Sequence, residues 1–161
     1  MILIGNGTVI TRDESCPVIP DGGVVTEGTR IVRVGDFKTL KQEYPDAEVL
    51  DVRGKLIMPG LINTHEHIYS AFARGLSIKG YNPNGFLDIL DGMWWTIDRH
   101  LTLEQTRLSA VATYIDCIKN GVTTVFDHHA SFGQIEGSLF AIADAVKELG
   151  VRTCLCYEVS D

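Results

Sequence analysis

The run Leu56-Ile57-Met58-Pro59-Gly60-Leu61-Ile62-Asn63-Thr64-His65-Glu66-His67 decides the fold. Its Pro59-Gly60 pair breaks the preceding strand and admits the chain to a new domain. Leu61 to Thr64 then reads as a short, apolar, buried strand with two histidines at its C-terminal end. Side chains alternate along a strand with a period of two, so His65 and His67 share a face and both imidazoles reach one metal ion. Parallel α/β sheets and barrels keep their chemistry at that end of their strands. H-x-H pairs also arise among surface and core histidines, and here the apolar strand and the Pro-Gly entry favour the metal reading. Glu66 points away from its two neighbours and reads as structural.

The pattern changes at this point. Before Pro59 come short β signals: Ile2 to Thr11, Gly23 to Glu27 and Thr29 to Val34 around Glu27-Gly28, then Glu48 to Val52 and Lys55 to Met58 around Arg53-Gly54. A short helix from Asp36 to Tyr44 fits between them, with Asp36 as N-cap and Pro45 after its end. Residues 1–58 therefore form a small β domain and residues 59–161 a second domain. In the second, strands Leu61 to Thr64, Val122 to Asp127 and Val151 to Val159 alternate with helical spacing over Leu87 to Ile97, Leu103 to Lys119 and Ile135 to Leu149. Thr102 and Gln105 make a capping box, and Gly121 follows the helix end. This order implies parallel strands with right-handed crossovers, in a closed barrel or an open doubly wound sheet.

Composition sets bounds. With 161 residues, 45% hydrophobic and 22% charged, the chain is ordinary globular material. A net charge of −7 argues against a nucleic-acid partner, which needs a basic face. No long apolar run and no charged-then-apolar leader is present, so the expectation is a cytoplasmic protein without a membrane partner. Cys154 and Cys156 share a strand face, as a metal pair or, the better reading, as small apolar fillers of a packed barrel face. With Cys16 and Cys117 they form no disulfide framework.

Polar residues collect at the C-terminal ends of the three strands: His65 and His67, then Asp127, His128 and His129, then Glu158 with Asp161. Asp127 reads equally as a turn or capping residue. His128 and His129 cannot both point inward, and His128 is the one assigned to a substrate or to a water on the metal. Tyr69, Arg74, Trp94 and Trp95 lie in a long segment suited to covering the mouth of the site, with Gly75, Gly80 and Asn82-Pro83-Asn84-Gly85 marking turns. The Trp pair serves as core or as a ligand platform, and Arg74 holds a substrate carboxylate or a structural salt bridge.

Three stretches together carry a family resemblance beyond the H-x-H strand: Ile68-Tyr69-Ser70-Ala71-Phe72-Ala73-Arg74-Gly75-Leu76, Met93-Trp94-Trp95-Thr96-Ile97-Asp98-Arg99, and Gly121-Val122-Thr123-Thr124-Val125-Phe126-Asp127-His128-His129-Ala130-Ser131. The chain resembles the amidohydrolase superfamily in its deaminase and chlorohydrolase branch, and within it the SsnA-type aminohydrolases. The resemblance implies the N-terminal part of a (β/α)8 metal-dependent hydrolase barrel preceded by part of a small β-sandwich. It implies His65 and His67 as metal ligands, and His128, Arg74, Trp95 and Tyr69 as substrate-binding residues. The metal it implies is zinc, with iron as the alternative.

The implied reaction is deamination of a nitrogen heterocycle by a metal-activated water; the alternatives are a chlorohydrolase, a cyclic amidohydrolase or a non-catalytic interaction module. A closed barrel of this kind takes about 250 residues. The family's further histidines and aspartate, and its general acid/base, have no counterpart up to residue 161. The chain alone is therefore expected to be inactive, completed by a missing C-terminal part or by a homo-oligomer.

Overall fold

A computed structural model describes residues 1–159, so Asp161 lies outside the described residues. The chain divides into two compact units, Met1–Pro59 and Gly60–Asp161.

In the first unit, β1 (Ile2–Ile10), β2 (Val18–Glu27) and β3 (Arg30–Asp36) form an antiparallel meander, with β4 (Glu48–Asp51) and β5 (Leu56–Ile57) on the other side of β1. Alternation along β1 sends Leu3 and Val9 inward, as the period of two requires. Helix α1 (Phe37–Glu43) starts on Asp36, whose carboxylate accepts from the Thr39 amide at 2.8 Å. Leu3, Val25 and Leu40 make the core, with Phe37, Tyr44 and Ala47 packed on it. Gly5 is obligatory there, because a Cβ at that position would run into the Phe37 ring.

Two expectations are corrected in this unit. β2 begins at Val18, not Gly23, despite Pro20. β3 pairs with β2 only as far back as Gly22, so Pro20 stands on a free edge where its missing N–H costs nothing. The Arg53-Gly54 turn does not make a hairpin. β4 and β5 run one after the other along β1, both parallel to it. Arg53 and Gly54, at φ of 52° and 78°, put a kink in one continuing edge, where Gly54 N–H donates to Asn6 O at 2.7 Å.

The second unit is a three-stranded parallel sheet in the order β6 (Leu61–Glu66), β7 (Val122–His129), β8 (Arg152–Tyr157). Gly60 lets the chain enter beside β7, since a Cβ there would overlap the Thr123 side chain. Helices α4 (Leu103–Lys119) and α5 (Ser138–Leu149) cover one face. Val125 on β7, Ala110, Tyr114 and Cys117 on α4, and Ile142, Ala145 and Val146 on α5 form the core with Ile68. The Thr102–Gln105 capping box is present in both directions. α5 starts later than Ile135 because Gly137, in the left-handed region at φ 86°, turns the chain into it.

The other sheet face is open. Ile62 and Phe126 are 59% and 44% exposed. Cys154 and Cys156 are exposed as well, which corrects the expectation that they fill a packed face; they are free thiols.

Between β6 and α4 lie a 3₁₀ helix (Ile68–Ala73) and a rod made of α2 (Phe86–Ile89), a π-helical turn (Leu90–Trp94) and α3 (Trp95–His100). The sequence pattern predicts one regular helix here. Residues four apart on an α-helix drift by about 40° each time. The wider turn offsets that drift, so that Phe86, Leu90, Trp94 and Asp98 come to line one cleft.

Candidate active site

The two histidines sit where β6 ends. His65 Nε2 and His67 Nε2 are 2.9 Å apart, so both rings converge on one point. Two ligands of a tetrahedral zinc, each about 2.1 Å from it, stand roughly 3.4 Å apart, and the pair fits such an ion with a small adjustment. The desolvation that accompanies burial, with the adjacent His65, pulls the His67 pKa below the usual imidazole range. That favours the neutral imidazole, the form that binds a metal. Among the described residues no cluster of three or more His, Cys, Asp or Glu side chains has metal-binding geometry, so the pair stands alone.

Glu66 faces away from the pair, as its alternation demands. Its carboxylate accepts from Asn63 Nδ2 at 2.7 Å and from the His67 amide at 3.1 Å, a structural role.

A cleft of 560 Å³ opens beside His67, bounded by Tyr69, Phe86, Trp94, Trp95, Asp98, His128 and Glu158 among others. Three of the four residues assigned to the substrate, Tyr69, Trp95 and His128, therefore meet here. Arg74 does not join them. Its guanidinium donates to Asp116 Oδ2 at 3.1 Å and to Ala71 O at 3.1 Å, on the wall of a neighbouring hollow between the 3₁₀ helix and α4. The salt-bridge reading of Arg74 accounts for its position, because a carboxylate on α4 lies within its reach. Trp94 and Trp95 are both half-buried walls of the cleft.

Asp98 is the residue that pattern reading missed. It is buried, and burial followed by the nearby Glu158 charge raises its pKa to about 6, with the Tyr69 hydroxyl alongside partly countering the shift. Its Oδ1 has no partner among the described residues. The Tyr69 hydroxyl is pushed upward by burial and by that same carboxylate. The available signal lay in Thr96-Ile97-Asp98-Arg99, where an acidic residue stands one turn after Trp94 on the same helical face. Glu158 Oε2 is 3.7 Å from His128 Nδ1, close enough for an ion pair when that ring is protonated. His129 turns the opposite way from His128, as expected for adjacent strand residues, and is fully buried.

Residues 56–161 match the amidohydrolase family, and residues 22–47 match a bacterial imidazolonepropionase-like composite domain. The chain belongs to the amidohydrolase family. It is 31% identical to 5′-deoxyadenosine deaminase of Methanocaldococcus jannaschii over 86% of its own length and 30% of that protein. It is also 31% identical to 5-methylthioadenosine/S-adenosylhomocysteine deaminase of Bacillus cytotoxicus, over 93% of its length and 33% of that protein. Among solved structures it is similar to a variant of atrazine chlorohydrolase TrzN from Arthrobacter aurescens TC1 complexed with zinc and atraton. The TM-score is 0.78 at 28% identity, covering 95% of this chain and 34% of that one. Guanine deaminase of E. coli, at 23% identity and a TM-score of 0.75 over 95% of this chain and 36% of its own, shares the fold. The chain thus spans about a third of the length of the relatives it matches. Among the described residues no helix is long and apolar enough to cross a membrane.

Proposed function

We propose that this chain carries part of the metal site and part of the substrate cleft of a metal-dependent aminohydrolase that deaminates a nitrogen heterocycle. The observation that carries the reading is the 2.9 Å convergence of the His65 and His67 Nε2 atoms at the rim of a cleft walled by Tyr69, Trp95 and His128. His65 and His67 hold the divalent ion, with zinc as first choice and iron as second. Such an ion supplies Lewis acidity and makes water a nucleophile near neutral pH, lowering its pKa from 15.7 to about 7.

The chain's own residues do the rest of the binding. Trp94, Trp95 and Phe86 offer flat apolar walls for a heteroaromatic ring. Asp98 and Glu158 accept from substrate N–H or O–H groups, and His128 hydrogen-bonds to the ring or to the attacking water. Burial of Asp98 and Tyr69 keeps bulk water away from that end. Deaminase relatives support the amino leaving group. The similarity to TrzN supports a second reading, displacement of chloride from the same class of ring. The proposed protein is cytoplasmic, acts on a small molecule, and has neither nucleic acid nor membrane as partner.

Zinc and iron(II) titrations of the protein, read from the His65 and His67 imidazole NMR signals, test the metal site. Saturable shifts are expected in the wild type, with a calorimetric binding isotherm that is lost in a His65→Ala/His67→Ala double variant, and no response in the wild type overturns the reading. With the barrel segments that the relatives carry beyond the matched third, ammonia release from adenine-type substrates supports deamination, whereas chloride release from a chlorotriazine without ammonia supports the second reading.

A further inference from the structure

The exit from β6 is held by side-chain acceptors in addition to its pairing with β7. The His65 amide donates to Asn63 Oδ1 at 3.3 Å, the His67 amide to Glu66 Oε1 at 3.1 Å, and the Ile68 amide to Asp127 Oδ1 at 2.9 Å. The first two acceptors are local. The third crosses from β7, 59 residues along the chain.

The strand pairing shows why such a hold is needed. Asn63 pairs with Val125 and Glu66 with Asp127, so β6 takes three steps where β7 takes two. The extra residue is a bulge that contains Thr64 and His65, and bulges re-aim the side chains they carry. Immediately after it the chain turns into the 3₁₀ helix at Ile68, whose N-cap position, His67, gives no side-chain hydrogen bond. The missing cap comes from Asp127. Both Asp127 and Ile68 are buried, and Ile68 belongs to the core with Val125, Ala110 and Tyr114, so the anchor is rigid at both ends.

We infer that Asp127 is a positioning residue for the His65–His67 pair: by accepting the Ile68 amide from across the sheet, it fixes the bulged exit that turns both Nε2 atoms toward one point. The inference deepens the metal-site reading and rests on it for its purpose, though the geometry is testable without metal. Asp127 hydrogen-bonds to neither ring: Oδ1 accepts from the Ile68 amide and Oδ2 has no hydrogen-bond partner among the described residues. It acts through the backbone of the residue next to His67. An unsatisfied amide at Ile68 would let the turn relax, and groups that orient metal-binding histidines change metal affinity by about 10–100-fold when removed.

The experiment compares wild type, Asp127→Asn and Asp127→Leu by NMR with labelled histidines, and melting curves check the fold. The His65 and His67 ring centroids are 4.9 Å apart, which gives an inter-ring nuclear Overhauser effect in the metal-free protein. Asn keeps an acceptor for the Ile68 amide and should keep the effect; Leu, of similar size without an acceptor, should lose it and bind zinc at least about tenfold more weakly. A folded Leu variant with the effect and the zinc affinity intact overturns the inference, as does loss of both in a folded Asn variant. Should the Leu variant not fold, amide exchange in the wild type decides: protection at Ile68 equal to that at Val125 supports the anchor, and free exchange at Ile68 refutes it. A wild type that shows the inter-ring effect yet no zinc response sinks the metal reading while the positioning result still stands.

Discussion

His129 Nε2 lies 2.8 Å from Ser131 Oγ, and both side chains are shut off from solvent. The Ser131 hydroxyl donates onward to Gln134 O at 3.1 Å, so it accepts from His129, which places the imidazole proton on Nε2. The other ring nitrogen, Nδ1, has no partner among the described residues. Burial accordingly drives the His129 pKa from 6.5 down to about 4.

That depression sets a pH dependence. Between pH 6.5 and 4 the unfolded chain takes up a proton that folded His129 refuses, so this contribution to stability is present above 6.5 and is lost as pH falls to 4. Asp127, raised from 3.8 to about 7, and Asp98, raised from 3.8 to about 6, have the opposite sign. Their contributions are present below 3.8 and are lost as pH rises through the folded values. Urea midpoints of the wild type should therefore rise from pH 7 to 4.5, because the two raised carboxyls outweigh the one depressed imidazole; His129→Gln should gain more on acidification than the wild type, and Asp127→Asn, left with Asp98 against His129, should change little. Parallel pH profiles for all three proteins would contradict this.

Arg74 and Trp95 should behave differently when replaced. Arg74→Ala removes an exposed ion pair with Asp116, whose stability value is about 0–1 kcal/mol, and should leave ligand binding in the cleft unchanged. Trp95→Ala removes a wall of the cleft and should weaken binding of a heteroaromatic ligand at least about tenfold, as the loss of roughly 1.4 kcal/mol of ring contact implies. Isothermal titration with adenine or a triazine reads both variants.

The helix layer carries the stability of the second unit. Ile142→Ala, at a fully buried position in the core, should cost about 2–5 kcal/mol in denaturant unfolding. Thr102→Ala removes one half of the capping box and should cost about 1 kcal/mol. Tyr114→Phe breaks the 2.5 Å contact with Thr153 Oγ1 and should cost about 1 kcal/mol, moderated because Thr153 still donates to Val125 O at 3.2 Å.

The open sheet face should drive association. Ile62 and Phe126 present apolar surface on the open face beside unpaired strand edges, a combination that attracts another sheet. Sedimentation at micromolar concentration should find assemblies larger than one chain, and Ile62→Lys with Phe126→Lys should disperse them. A wild-type monomer with a cooperative melt would refute the expectation.

Whatever depends on local periodicity was legible in the residues alone. The i, i+2 spacing put His65 and His67 on one face, Thr102 and Gln105 announced a helix start, and the alternation of strand and helix patterns required parallel pairing. Each of these is a property of residues within a turn or two of one another, where backbone geometry leaves little choice. Tertiary structure alone decided the partners far apart in the chain. It laid β4 and β5 end to end along β1, drew Arg74 to Asp116, set Asp98 facing the Tyr69 hydroxyl, and brought the Asp127 carboxylate to the Ile68 amide 59 residues away. Those contacts follow from strand register and from which face each helix buries. Both are settled by packing the whole unit at once, so no short window of residues contains them.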